Sequence, residues 1–253
     1  MTANPLDTSP EFFVRQQYLD FLDREPDQGG LAYWSAQIRQ CNGDAQCLSS
    51  RRIGVSAAFF IEQEFQQTGA YVYRVYKAAL NQRPNYAQFM PDRSQVIAGP
   101  LLDQSKTDFA NVFVQRSAFT AQYPNTLTPA QYVDALNANT GNSLTSAQRE
   151  ALVAGLNAVP ATETRGSVLR KVADNAAFID REYNPSLVLT QYFGYLRRDP
   201  YQGGYDFWLG QVNRFPIRNV GIQHAMVCSF VTSAEYQLRF SPIVTRTNGE
   251  CPR

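Results

Sequence analysis

The residues able to do chemistry are few, and their spacing limits what they could do. Histidine occurs once, at His224, so a site with two or more imidazole ligands is excluded and zinc or di-iron chemistry has no donor set. His224 lies near Ser229 and Ser233, but no Gly-x-Ser-x-Gly elbow surrounds either serine, and the spacing gives no nucleophile. Asp23, Glu25 and Asp27 alternate before Gly29 in the manner of oxygen ligands in a calcium loop. That pattern then fails, because Gln28 stands where the loop glycine is required and Trp34 where the bidentate glutamate is. A solvated helix end is the simpler reading, and no metal or cofactor is expected. Glu64 and Glu235 could form a glycosidase pair. They recur at related positions of an internal repeat, however, which fits ion pairing better than catalysis.

The cysteines fall into two groups, Cys41 with Cys47 and Cys228 with Cys251, and neither has the Cys-x-x-Cys spacing of redox or zinc motifs. Two disulfides are expected, contributing roughly 2 and roughly 3 kcal/mol in the chain-entropy description, and with them an oxidising compartment. The opening Met1-Thr2-Ala3-Asn4-Pro5 has neither a basic nor an apolar run, and nothing nears a membrane span. The expectation is a segment of a longer exported protein. With 23 Lys and Arg against 22 Asp and Glu, the formal charge of +1 gives no reason to expect nucleic acid. Aromatic residues make up 13% and charged residues 18%, the balance of a packed globule.

The elements that must position these residues come from a repeat. Residues 17–37 and 191–211 align without a gap, keeping Gln17/Gln191, Tyr18/Tyr192, Leu22/Leu196, Arg24/Arg198, Pro26/Pro200, both glycine pairs and Trp34/Trp208. Weaker copies begin at Tyr76 and Tyr132, so the anchoring tyrosines are spaced by 58, 56 and 60 residues. Each copy reads as an amphipathic helix ended by proline, then a turn in which Gly29-Gly30 and Gly203-Gly204 supply positive φ, then a helix around a tryptophan. A third helix is predicted over 52–65, 107–123, 164–183 and 220–236. Strand-type alternation is nearly absent. The fold class expected is therefore all-α, four helical units of about 58 residues packed as two pairs. Pro124–Pro129 is the predicted linker, with domains 1–124 and 125–253.

The string Tyr18-Leu19-Asp20-Phe21-Leu22-Asp23-Arg24-Glu25-Pro26-Asp27-Gln28-Gly29-Gly30-Leu31-Ala32-Tyr33-Trp34 resembles the domain of unknown function 4214 family. Ser233-Ala234-Glu235-Tyr236 is similar to that family's Ser-x-Glu-Phe ending, and Glu62-Gln63-Glu64-Phe65 keeps the Glu-aromatic part. A more distant similarity is to phycobilisome linker domains. The middle copies lack the tryptophan and paired glycines. The resemblance implies a bacterial exported or cell-surface interaction module, and the family brings no catalytic residues with it.

The expected function is thus a non-enzymatic interaction or assembly module binding a cell-surface protein or glycan. A polysaccharide hydrolase using paired carboxylates and a structural spacer are the rival readings. Arg24 is expected to reach Glu64, and Arg198 to reach Glu235, as buried pairs. Trp34 and Trp208 are assigned to the core, while Tyr33, Tyr201 and Tyr205, in or beside the glycine turns, are the first ligand-contact candidates.

Overall fold

The computed structural model describes residues 3–61 and 63–251; Met1, Thr2 and Glu62, which the readings above touch, lie outside the described residues. Among those described, the chain is helical and no strand occurs, as the patterning predicts. It divides into two compact units, residues 1–66 with 187–253, and residues 67–186.

This division corrects the expected boundary at 124/125, which falls inside the second unit. Pro124–Pro129 is bound down rather than free. Arg165 donates to the carbonyl oxygens of Tyr123 and Pro124, the Tyr123 hydroxyl donates to Ala79, and Thr128 with Gln131 forms the capping box of the next helix. A proline-rich stretch whose backbone carbonyls are taken by a guanidinium has the look of a linker in sequence and none of its freedom.

The second unit is organised around the helix Gly69–Leu80, in which only Lys77 and Leu80 escape burial. Pro129–Asn139 and Arg165–Ala173 pack on it, and Leu102–Phe113 packs on Arg165–Ala173 and sets its Phe109 and Phe113 rings against Tyr71 and Tyr76. Its buried cations are placed: Arg74 donates to the carbonyl of Ala173 at 2.8 Å, and Lys106 lies 3.0 Å from Asp174 and over the Tyr71 ring. Arg116 grips Asp92 through both guanidinium nitrogens, at 2.6 and 2.7 Å, and the Tyr76 hydroxyl donates to the same carboxylate.

The first unit holds the two strong copies of the repeat. In each, the opening helix widens at its end into a π-turn, Tyr18–Leu22 and Tyr192–Leu196, and stops at a left-handed residue, Asp23 (φ 55°) or Arg197 (φ 52°). Positive φ therefore sits five residues before the proline-glycine segment's helix begins, and the expected glycine turn is corrected. Gly29, Gly30, Gly203 and Gly204 lie in the first turn of the helices Gln28–Arg39 and Gln202–Val212 with ordinary helical backbone. The second glycine of each pair is required for space: a Cβ at Gly30 would collide with the Tyr18 hydroxyl, and one at Gly204 would stand 2.6 Å from that of Tyr192.

The predicted third helix is broken near its end. In the last copy Val220–Val231 stops and Ala234–Gln237 restarts, because the Thr232 hydroxyl donates back to Cys228 while Ser233 caps the Tyr236 N–H. In the second unit Phe113 is followed by a new helix at Ser117, and Ala173 by one at Ala176, where the Asn175 side chain accepts from the Phe178 N–H. Both predicted disulfides are formed, Cys41–Cys47 and Cys228–Cys251.

Candidate functional site: paired aromatic clefts

The opening helix of the first copy presents Tyr18 and Leu22 on one side, and the long helix Ala45–Ile61 brings Phe59 against them, edge-on at 4.8 Å between centroids. The helix Gln28–Arg39 lays Trp34 alongside, 6.0 Å from Phe59. Together with Gln63 and Glu64 these residues line a cleft of about 270 Å³. That is near the lower limit of pockets that hold small molecules, about 300 Å³.

The last copy repeats the ring set. Tyr192 meets Phe230 edge-on at 5.0 Å, and Trp208 lies 6.1 Å from Phe230. On the outer side of each tryptophan stands a second, exposed ring: Tyr33, 4.9 Å from Trp34, and Phe207, 5.3 Å from Trp208. The tryptophans are half-buried, which corrects their assignment to the core. Each tryptophan lies at the surface of its helix, covered in part by its ring neighbours, Phe59 and Tyr33 or Phe230 and Phe207.

The expected ion pairs bound the clefts. Arg24 donates to both oxygens of Glu64 at 2.8 Å, and Arg198 to both of Glu235 at 2.6 and 2.9 Å. They are not buried, however: the side chains retain 39% and 27% exposure in the first pair and 39% and 47% in the second. The turn that carries each arginine projects from the unit, so water reaches both partners. Hydrogen bonding to Arg198 holds the Glu235 carboxyl below its usual range. Arg24 also lies over the Tyr18 ring.

Of the three tyrosines predicted as ligand contacts, Tyr33 is 59% exposed and Tyr201 68% exposed, but Tyr205 is 4% exposed. Tyr205 is thereby corrected to a core residue. It lies one turn into its helix on the same side as Gly204 and Val212, which are also buried. Tyr201 occupies the position of Asp27. In the first copy the Asp27 carboxylate caps the helix by accepting from the Gly30 N–H at 2.8 Å, a bond that lowers its pKa. In the last copy the Tyr201 ring instead runs past Gly204 toward Tyr192, whose hydroxyl is pushed up to about 12 by burial first and by Tyr201 second.

The other candidates for chemistry are occupied structurally. Glu25 takes the Arg15 guanidinium and Asp27 is the helix cap, so two of the three carboxylates of the calcium-like string are committed. The hydroxyls of Ser229 and Ser233 donate to the carbonyls of Ala225 and Phe230, and burial lowers the pKa of His224. A second cleft, of about 340 Å³ between Leu144, Gln148, Leu152, Glu163, Lys171 and Asn175, was not signalled by the sequence. Its Glu163 and Lys171 are bonded to each other.

Sequence reading also missed Asp20, a fully buried carboxylate of the first π-turn. Arg239 reaches it at 2.7 Å, Arg197 at 3.3 Å and the Tyr236 hydroxyl at 3.3 Å, while burial pushes its pKa up. The one available signal was its contrast with Gly194 at the same repeat position.

The fold and the clefts define a helical, disulfide-stapled module with duplicated aromatic sites. Residues 3–45 match the family described as Domain of unknown function (DUF4214), a span that includes the first cleft's Tyr18, Leu22 and Trp34. Comparison with curated proteins and with solved structures returned no match.

Proposed function

We propose that this protein is a non-enzymatic interaction module, exported to the surface of a bacterial cell as part of a longer protein, and that it recognises a glycan through its two aromatic clefts. The observation that carries the reading is the open tryptophan. Both copies keep the ring half-covered and place a second exposed ring beside it, Tyr33 or Phe207. Rings held in place by neighbouring rings offer stacking area at little entropic cost, and Gln63 and Glu64 in the cleft lining supply polar groups for sugar hydroxyls. Two disulfides support an oxidising compartment. We further read the whole chain as four related helical units, the first paired with the last and the second with the third.

Glu64 and Glu235 are the regular carboxylates on which a hydrolase would depend. Each is held by its own arginine with both oxygens engaged, which favours an architectural role. Titration of purified cell-envelope polysaccharides into the full chain tests the proposal. Saturable binding that weakens in Y33A and Y201A, with an unchanged thermal midpoint, is expected. Release of reducing ends would establish the hydrolase instead, and neither binding nor turnover would leave the spacer.

A further inference from the structure

The cleft of the opening copy is lined by three rings that do not share a plane. Tyr18 and Phe59 meet at 81° and Trp34 and Phe59 at 43°, and all three border the same space of about 270 Å³ with Leu22, Gln63 and Glu64. A flat sugar ring stacks on a single platform. Rings inclined to one another suit a rounded group instead, and their negative faces favour a cation. The charges beside the cleft point the same way. Arg24 is committed to both oxygens of Glu64, and Asp27 adds a second carboxylate 3.8 Å from that one guanidinium. The Asp27 carboxylate lies beside the Tyr18 hydroxyl, since a Cβ on Gly30 would meet both. Burial first, and the Asp27 charge next, raise the Tyr18 pKa. Tyr18 already holds one cation against its ring, with the Arg24 guanidinium carbon 4.9 Å from the centroid. In the closing copy Tyr201 stands at the position of Asp27, so this second carboxylate is missing there.

We propose that the cleft of the opening copy binds a quaternary ammonium group of the choline type, and that the closing copy does not. The proposal rests on the glycan reading in one respect, that the group is carried by the glycan as a substituent. A methylated ammonium suits the lining better than a primary one. A cation with N–H groups needs acceptors, and Glu64 already has Arg24 on both oxygens, whereas a trimethylammonium needs only rings and a field of opposite sign. Size points the same way: the cleft lies under the roughly 300 Å³ at which small-molecule pockets begin, so it takes a substituent rather than a sugar chain. The sugar itself then rests outside, on Tyr33.

Calorimetric titration of the full chain with choline chloride, and with its carbon analogue, a neutral alcohol of the same shape with carbon in place of nitrogen, tests this. Choline should bind saturably and the analogue roughly tenfold more weakly, because only the attraction of charge to ring separates them. W34L should lose roughly tenfold in choline affinity and W208L nothing. D27N keeps a side chain able to cap the helix and should weaken choline binding roughly two- to threefold at low salt. Thermal midpoints report folding, and D27N, at an exposed side chain, keeps the test decisive if W34L does not fold. Three results would each overturn the proposal: no saturation by choline, equal affinity for the carbon analogue, or loss in W208L rather than in W34L. A choline-substituted oligosaccharide and phosphatidylcholine vesicles separate the carriers, and binding to the vesicles alone would overturn the assignment to a glycan. An unsubstituted oligosaccharide that binds and weakens in Y33A while choline is ignored would sink this inference and leave the glycan reading standing.

Discussion

Within the first unit, the opening copy and the closing copy place nearly the same residues in nearly the same positions, yet their interiors differ in polarity. Ser56 and Tyr195 share a hydroxyl hydrogen bond. At the corresponding repeat positions stand Val227 and Phe21, which have no hydroxyl to share. Gln17 accepts from Ser56 at 2.5 Å and donates to the Tyr236 hydroxyl at 3.1 Å. Its twin, Gln191, faces a repeat in which those two partners are Val227 and Phe65, and neither of its amide atoms meets a partner among the described residues. Asp20 gathers Arg239, Arg197 and Tyr236, whereas position 194 is glycine because the Phe21 ring leaves no room for a Cβ. The buried polar groups are thus joined in one asymmetric network, with Asp20, Gln17 and Ser56 from the opening copy and Tyr195, Arg197, Tyr236 and Arg239 from the closing one. The tryptophan ring set and its arginine-glutamate pair, in contrast, are present twice. The lesson is that the rings and the ion pair recur in both copies while the buried hydrogen bonds beside them do not.

The comparison breaks most severely at Asp20. D20A leaves Arg239 without its buried carboxylate, and unfolding by denaturant should show a loss of about 3–5 kcal/mol. A loss under 1 kcal/mol would mean that the network does not hold the two copies together. Next in size are the second glycines. G30A and G204A each push a methyl into a tyrosine hydroxyl, and each should cost about 1–3 kcal/mol, with G30A the worse because its clash is closer. Equal stability of both variants with the parent would contradict the close approach of Tyr18 and Tyr192 to the helix start.

The glutamines sharpen the contrast, since they are identical in sequence and opposite in environment. Q17L removes one of the two hydrogen bonds of Ser56 and of Tyr236 and should cost about 1–3 kcal/mol, whereas Q191L should be neutral or stabilising. Equal penalties would show that Gln191 has a role its surroundings do not reveal. Smallest are the clefts' ion pairs. R24A and R198A, at half-exposed pairs, should each cost no more than about 1 kcal/mol, far less than a buried pair would.

The helical class, both disulfides and both arginine-glutamate pairs were legible in the sequence, because each depends on spacing alone. Burial was not. The glycine pairs read as a turn since glycine is the usual left-handed residue, but the left-handed positions went to Asp23 and Arg197, where nothing local in the sequence marks them. Tyr205 lies beside the glycines like Tyr201, and only the helix register separates the buried ring from the exposed one. Asp20 reads as an ordinary solvent-facing carboxylate until Arg239, more than two hundred residues later, is folded onto it. The boundary at 124/125 failed for a related reason: residues 1–66 and 187–253 join in one unit across the intervening chain, which no local composition records.

The central claim, recognition without chemistry through the paired clefts, is tested most directly by calorimetric titration of one binding oligosaccharide into the parent, Y33A, F207A and the double variant. Either single substitution should weaken binding on the order of tenfold and the double variant more. The oligosaccharide should be recovered intact in every case. Affinity unmoved by all three variants, or cleavage of the sugar that Glu64→Gln abolishes in a folded protein, would contradict the account.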